Sequence, residues 1–169
     1  KNHLPLTYGI LLGMPGIPCI YYGSEWGTLG EKAPDNDYAL RPCFQQPEPN
    51  ELTELIHKLI RIRQQSDALC SGSYRNVVLT NHQLIFERAS EKERMLVAIN
   101  ASDTDYTAYH GDLQGNAREL INEKILSLDG NWKCRPTAYN ILCLSNFAQG
   151  VSQFCTGYIA DEDVTLLNF

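Results

Sequence analysis

The 169-residue sequence has no CxxC pair, and no histidine stands at ligand spacing from any of its six cysteines, so the pattern of a structural zinc site is missing. It has no stripe of lysine and arginine interleaved with aromatics. With 14 basic against 20 acidic residues and a net charge of −6, nucleic acid is not expected as a partner. It has no phosphate-binding loop. Gly23, Gly27 and Gly30 follow an apolar run, but without the spacing or the following helix that a P-loop or dinucleotide fingerprint requires. Internal repeats and low-complexity segments are missing too. No long apolar run is unbroken. Residues 4–22 carry no charge, yet Pro5, Pro15, Pro18, Gly9, Gly13 and Gly16 interrupt them, and a helix so broken would leave backbone groups unsatisfied in lipid. Neither a membrane partner nor a signal peptide with a small-residue cleavage site is read there. No cofactor and no metal is expected.

What is present reads as globular, with 43% hydrophobic and 20% charged residues. Cysteines stand at 19, 43, 70, 134, 143 and 155. Cys19 sits in an apolar run and Cys70 follows a helix, as buried free thiols often do, which favours reduced cysteines and a cytoplasmic location over three disulfides.

The chain is organised around 13–30, GMPGIPCIYYGSEWGTLG. Ile17, Cys19, Ile20, Tyr21 and Tyr22 suit a strand buried on both faces. Gly23-Ser24-Glu25-Trp26-Gly27 closes it with a carboxylate and an indole, at the strand end where parallel α/β folds place their chemistry. A helix is predicted at 4–14, and a polar loop with four prolines runs from 24 to 49. Asn50 is read as the N-cap of the next helix, with Glu51 and Glu54 in its first turn. Leu52, Leu55, Ile56, Leu59, Ile60 and Ile62 form the apolar face of that helix, and Lys58, Arg61 and Arg63 load the other side. From Ser73 the period changes to two. Short runs at 77–79, 84–86, 95–99, 106–109, 119–122, 124–128, 132–134 and 138–144 read as strands, with Asp129-Gly130 as a hairpin turn. They predict an antiparallel β-sandwich. Residues 145–169 show no period and are unassigned.

The stretch GMPGIPCIYYGSEWG at 13–27 resembles the eighth barrel strand and following loop of the alpha-amylase family of glycoside hydrolases, through Gly16, Pro18, Tyr21, Tyr22, Gly23 and Glu25. Asp37-Tyr38-Ala39-Leu40-Arg41-Pro42 is similar to that family's downstream arginine segment. The resemblance covers roughly 1–144, and its wording is most similar to maltodextrin-acting neopullulanase or cyclomaltodextrinase types. It implies an α+β chain in which 1–72 is the terminal piece of a (β/α)8 TIM barrel and 73–144 an antiparallel β-sandwich domain. It implies a retaining glycosidase acting on α-glucans or maltodextrins. The family's catalytic Asp, Glu and Asp follow strands four, five and seven, all upstream of the matched stretch, so this chain is expected to hold no catalytic residue and to be inactive alone. An oligomer formed through exposed barrel-strand edges is a further expectation.

Three residues are candidates for binding substrate. Glu25 could accept from sugar hydroxyls, or be a structural carboxylate. Trp26 could stack on the C–H face of a pyranose, or anchor the loop. Arg41 could donate to a sugar hydroxyl, or pair with a loop carboxylate. Glu31, Asp35 and Asp37 read as solvated charges, and His3, His57, His82 and His110 as surface residues. The competing function is a non-catalytic carbohydrate-binding β module using Tyr106, Tyr109 and Trp132.

Overall fold

The computed structural model describes residues 3–144. The stretch left unassigned, 145–169, lies outside the described residues.

Three helices come from the first half. Helix α1, Leu4–Gly13, tolerates Pro5 because the first turn needs no amide donor there. It buries Leu6, Tyr8 and Leu12. Helix α2, Glu51–Gln64, starts at a capping box in which the Asn50 side chain accepts from the Thr53 amide and Thr53 Oγ1 accepts from the Asn50 amide. Helix α3, Asp67–Ser71, is capped by Ser66, whose Oγ accepts from the Leu69 amide at 3.0 Å. No described helix is long and apolar enough to cross a membrane.

Six strands follow: β1 Ser73–Leu79, β2 Gln83–Ala89, β3 Arg94–Asn100, β4 Tyr106–Glu119, β5 Lys124–Cys134 and β6 Ala138–Leu144. They pair antiparallel in one sheet of order β1-β2-β3-β6-β4-β5. Alternation sorts the side chains onto two faces. Phe86, Met95, Val97, Ile99 and Ile141 pack under α1, α2 and α3. Ile85, Leu96, Ala98 and Leu142 point the other way and share a second cluster with Ala108, Leu113, Ala117, Leu128 and Trp132. Strand β1 touches β4, and β3 touches β5, although neither pair is hydrogen-bonded. The expected sandwich is therefore a single sheet curled over its own face.

A bulge accounts for the curl. Tyr109 faces Asn131 and Gln114 faces Asp129, so residues 110–113 oppose Gly130 alone, at φ +90°. Asp129-Gly130 is thus not the hairpin turn expected from sequence, and the expected short strands on either side of it join into β5. The true turn is 120–123. There the buried Glu119 carboxylate accepts from the Ile121 and Asn122 amides, both at 2.8 Å. A backbone able to reach positive φ suits a bulge as well as a turn.

The largest departure concerns 17–22. Its residues join no ladder among the described residues, and Ile17 is 98% exposed with Tyr21 and Tyr22 also exposed. A strand buried on both faces needs a strand on each side and helices above and below; nothing in residues 3–144 supplies them. Cys19, expected in a buried strand, is exposed, as is Cys70.

One buried arginine fastens the helices to the sheet, and a second fastens α2 to the end of α1 and the residues after it. Arg88 on β2 is 0% exposed and donates to the carbonyls of Gly13 (2.8 Å), Leu69 (3.0 Å), Gly72 (3.0 Å) and Ser73 (3.1 Å). Arg63 on α2 donates to those of Leu12, Met14 and Gly16. Arg63 was expected on the solvent side. Its position four residues past Leu59 places it on the buried face instead.

Candidate functional site

The cleft segment is built on the end of 13–30. Ser24–Trp26 forms a single 3-10 turn between two glycines in the left-handed region, Gly23 at φ +82° and Gly27 at φ +70°. A side chain at Gly23 would meet the Phe44 ring at 2.8 Å as well as an unfavourable backbone. Gly30 packs its α-carbon against the Ala39 carbonyl so closely that a β-carbon would stand 2.2 Å from the oxygen. These contacts fold 21–30 back onto 39–44.

The turn is pinned from three directions. Tyr8 Oη donates to Ser24 Oγ at 2.9 Å. Thr53 Oγ1 donates to the Glu25 carbonyl at 3.1 Å, and Asn50 Nδ2 to the Trp26 carbonyl at 2.9 Å. The residues that cap α2 therefore also hold the Glu25-Trp26 backbone. Phe44 is the aromatic hub. Trp26 meets it edge-on with ring centroids 4.7 Å apart, and Tyr22 does so at 6.1 Å. Desolvation, reinforced by a hydrogen bond with its neighbour Tyr21, raises the Tyr22 hydroxyl pKa.

The three sequence candidates do not converge. Arg41 is tied to Asp37 at 2.8 Å, the ion pair offered as its alternative role. Trp26 is packed on Phe44. Glu25 holds one carboxylate oxygen, Oε2, shielded from solvent with no hydrogen-bond donor from the described residues. Such an atom is costly to leave unpaired. A shallow cleft of about 150 Å³ lies beside them, lined by Tyr21, Tyr22, Leu40 and Pro42 and the backbone around Gly23 and Gly30. Glu25, Trp26 and Arg41 are not in its lining. Ligand pockets usually measure ~300–1,000 Å³, so this cleft alone is smaller than a typical ligand site. No group of three or more potential metal ligands exists among the described residues.

Sequence reasoning missed Phe44, and it missed the second role of Asn50 and Thr53. Phe44 could have been noticed as a lone aromatic between Pro42 and Pro47. The Asn50 and Thr53 contacts to residues 24–28 positions earlier carry no local signal.

No protein-family model matches the chain. Curated relatives do. It is 35% identical over 132 residues to the cyclomaltodextrin glucanotransferase of Bacillus sp. (strain 1011), covering 78% of this chain and 18% of that protein. It is 27% identical over 119 residues to the cyclomaltodextrinase of Thermoanaerobacter pseudethanolicus, covering 69% of this chain and 20% of that protein. Among solved structures, an Anoxybacillus alpha-amylase superposes with a TM-score of 0.73 at 28% identity, over 85% of this chain and 32% of that one. The chain is related to the alpha-amylase-type glycoside hydrolases. It spans about a fifth of the length of the curated relatives it matches.

Proposed function

We propose that this chain is the C-terminal part of an alpha-amylase-type glycosidase that hydrolyses α-glucosidic bonds in maltodextrin-like glucans with retention. The observation that carries the proposal is the match across most of the chain to enzymes whose names specify cyclomaltodextrins and maltose-forming amylases. In this reading, 1–72 is the end of the (β/α)8 barrel and 73–144 the C-terminal β domain. The unpaired, exposed 17–22 stretch supports it, since an eighth barrel strand is completed by neighbours from the rest of the barrel. The small, one-sided cleft supports it as well.

Retaining hydrolysis needs one carboxylate to attack the anomeric carbon and a second to protonate the leaving oxygen. Neither role is assigned to this chain. Glu25 contributes instead as a shielded acceptor, its Oε2 taking a donor from a sugar hydroxyl or from an adjoining barrel element. Tyr21 and Tyr22 offer ring faces to a sugar. The exposed 17–22 edge meets the parent barrel rather than a second copy of the chain.

Two assays test this. The isolated chain should release no glucose or maltose from maltotriose; sustained release, lowered by Glu25→Gln, would overturn the assignment. Mixing the chain with a relative's barrel truncated before its eighth strand should restore maltodextrin hydrolysis. No gain with a properly folded mixture counts against the barrel reading.

A further inference from the structure

A larger concavity than the cleft lies elsewhere, on the sheet. It measures about 550 Å³, and its lining comes from 119–140, through the 120–123 turn, along β5 and into β6. Strand β5 is an edge strand, hydrogen-bonded only to β4, and from Lys124 to Asp129 the two pair without a bulge. Its outer side is therefore a regular row of backbone donors and acceptors, open to a further segment. The opposite edge, β1, is interrupted between Asn76 and Val78. Leu126, Leu128 and Trp132 give the groove an apolar floor. Its charge is positive, because Lys124, Lys133 and Arg135 line it against the single carboxylate of Glu119. Lys133 is paired with Asp105 at 2.6 Å, and Glu119 accepts from the Ile121 and Asn122 amides. Lys124 and Arg135 are left without an ionic partner among the described residues.

Such a groove suits an apolar, acidic segment, and the sequence holds one. Residues 145–169 carry no lysine, arginine or histidine, and their charges are Asp161, Glu162 and Asp163. Tyr158, Ile159, Val164, Leu166 and Leu167 flank that run. The reach is short. Leu144, where β6 ends, pairs with Ala117 on β4, and Ala117 pairs with Leu126 in the groove. Two strand spacings make ~10 Å, which about three extended residues span. A tethered segment binds at high effective concentration, so weak contacts suffice. We propose that the 158–167 segment of this chain docks in the groove along β5, with its acidic run against the cationic lining and its apolar residues on Leu126, Leu128 and Trp132. The docked segment covers the open edge and keeps it from pairing with a second copy. This docking stands apart from the function proposed above. Of the three aromatics named from sequence for a carbohydrate module, Trp132 alone lines the groove; Tyr109 is 76% exposed outside it, and Tyr106 packs against the second core cluster.

The test is carbodiimide coupling of the full chain, which joins a carboxylate to a lysine amine in contact with it, read by peptide mass spectrometry. Links from 161–163 to Lys124 and Lys133 should exceed those to Lys32, Lys58 and Lys92 about tenfold or more. They should form within one molecule when isotopically labelled and unlabelled chains are mixed. A second measurement does not depend on lysine reactivity. In Asp161→Lys/Glu162→Lys/Asp163→Lys, the amides of 124–129 that face away from β4 should exchange about tenfold faster, while β2 and β3 keep their protection. Coupling spread evenly over all the lysines overturns the docking, as does exchange at 124–129 that the triple variant leaves unmoved. Links formed only between two molecules give the groove to a second copy and overturn it too.

Discussion

From Ser73 onward the described chain satisfies itself. Between Pro15 and Asn50 it does not. Each strand of the sheet has a partner, and both faces of its centre are buried, one under helices and one under the curled β4–β5 ribbon. The 15–49 segment holds two 3-10 turns of three residues each and no strand. Yet six of the ten large exposed apolar side chains among the described residues lie in it: Ile17, Tyr21, Tyr22, Leu29, Tyr38 and Leu40. Scattered surface apolar residues need no explanation, whereas a concentration on one segment marks a contact surface. One region is held by its own hydrogen bonds, and the other leaves its large apolar side chains exposed.

Arg88 ties the sheet to the ends of α1 and α3, and breaking that tie has the largest expected effect. Arg88→Met leaves four inward carbonyls without a donor. A loss of roughly 3–5 kcal/mol is expected in urea unfolding, because charge-assisted bonds are lost and buried acceptors are orphaned. A loss under 1 kcal/mol would show that Arg88 does not hold the helices on the sheet. Next comes Gly13, where the helix end presses on the sheet. A β-carbon there would stand 2.9 Å from the Phe86 ring and 3.1 Å from Val97. Gly13→Ala should cost about 1–3 kcal/mol by overpacking, read from the same unfolding curves.

Asn50→Ala removes a helix cap and the Trp26 tether together. A cost of about 1–2 kcal/mol is expected, with a change in Trp26 emission measured in a Trp132→Phe background. Cost without a spectral change would separate the cap from the cleft. The smallest effect belongs to Arg41→Ala. Its pair with Asp37 is solvent-exposed and worth ~0–0.5 kcal/mol.

Alkali sharpens the comparison from the other side, since the shifted groups with printed values belong to the sheet. Burial, with help from Glu119, pushes Tyr139 up to about 12, and burial pushes Cys134 up to about 11. Unfolded, these groups ionise at their ordinary values of 10.0 and 9.0. Above pH 9 the unfolded chain therefore binds fewer protons than the folded one. Stability should fall between about pH 9 and pH 12. Cys134→Ser and Tyr139→Phe should each flatten part of that decline.

What could be read from sequence was what is decided locally. The α2 cap and its acidic first turn sit next to each other in the chain, so Asn50 was identifiable. The period-two runs of β2 and β3 record burial on two faces and were equally plain. The 17–22 stretch carries the same apolar signal, but a strand is made by its partners, and residue types cannot say whether those partners are in the chain. Arg63 was misplaced because charge was weighted above helical position. At the candidate site, Glu25 and Trp26 were legible as a motif, while their supports, Phe44, Asn50 and Thr53, come together only through the fold.

Amide hydrogen exchange on the isolated chain tests the central contrast most directly. Amides of β2, β3 and β6 should exchange only through global unfolding, while those of 17–22 exchange faster by several orders of magnitude. Equal protection of 17–22 and the sheet centre would contradict the claim that this segment is left for a neighbour to complete.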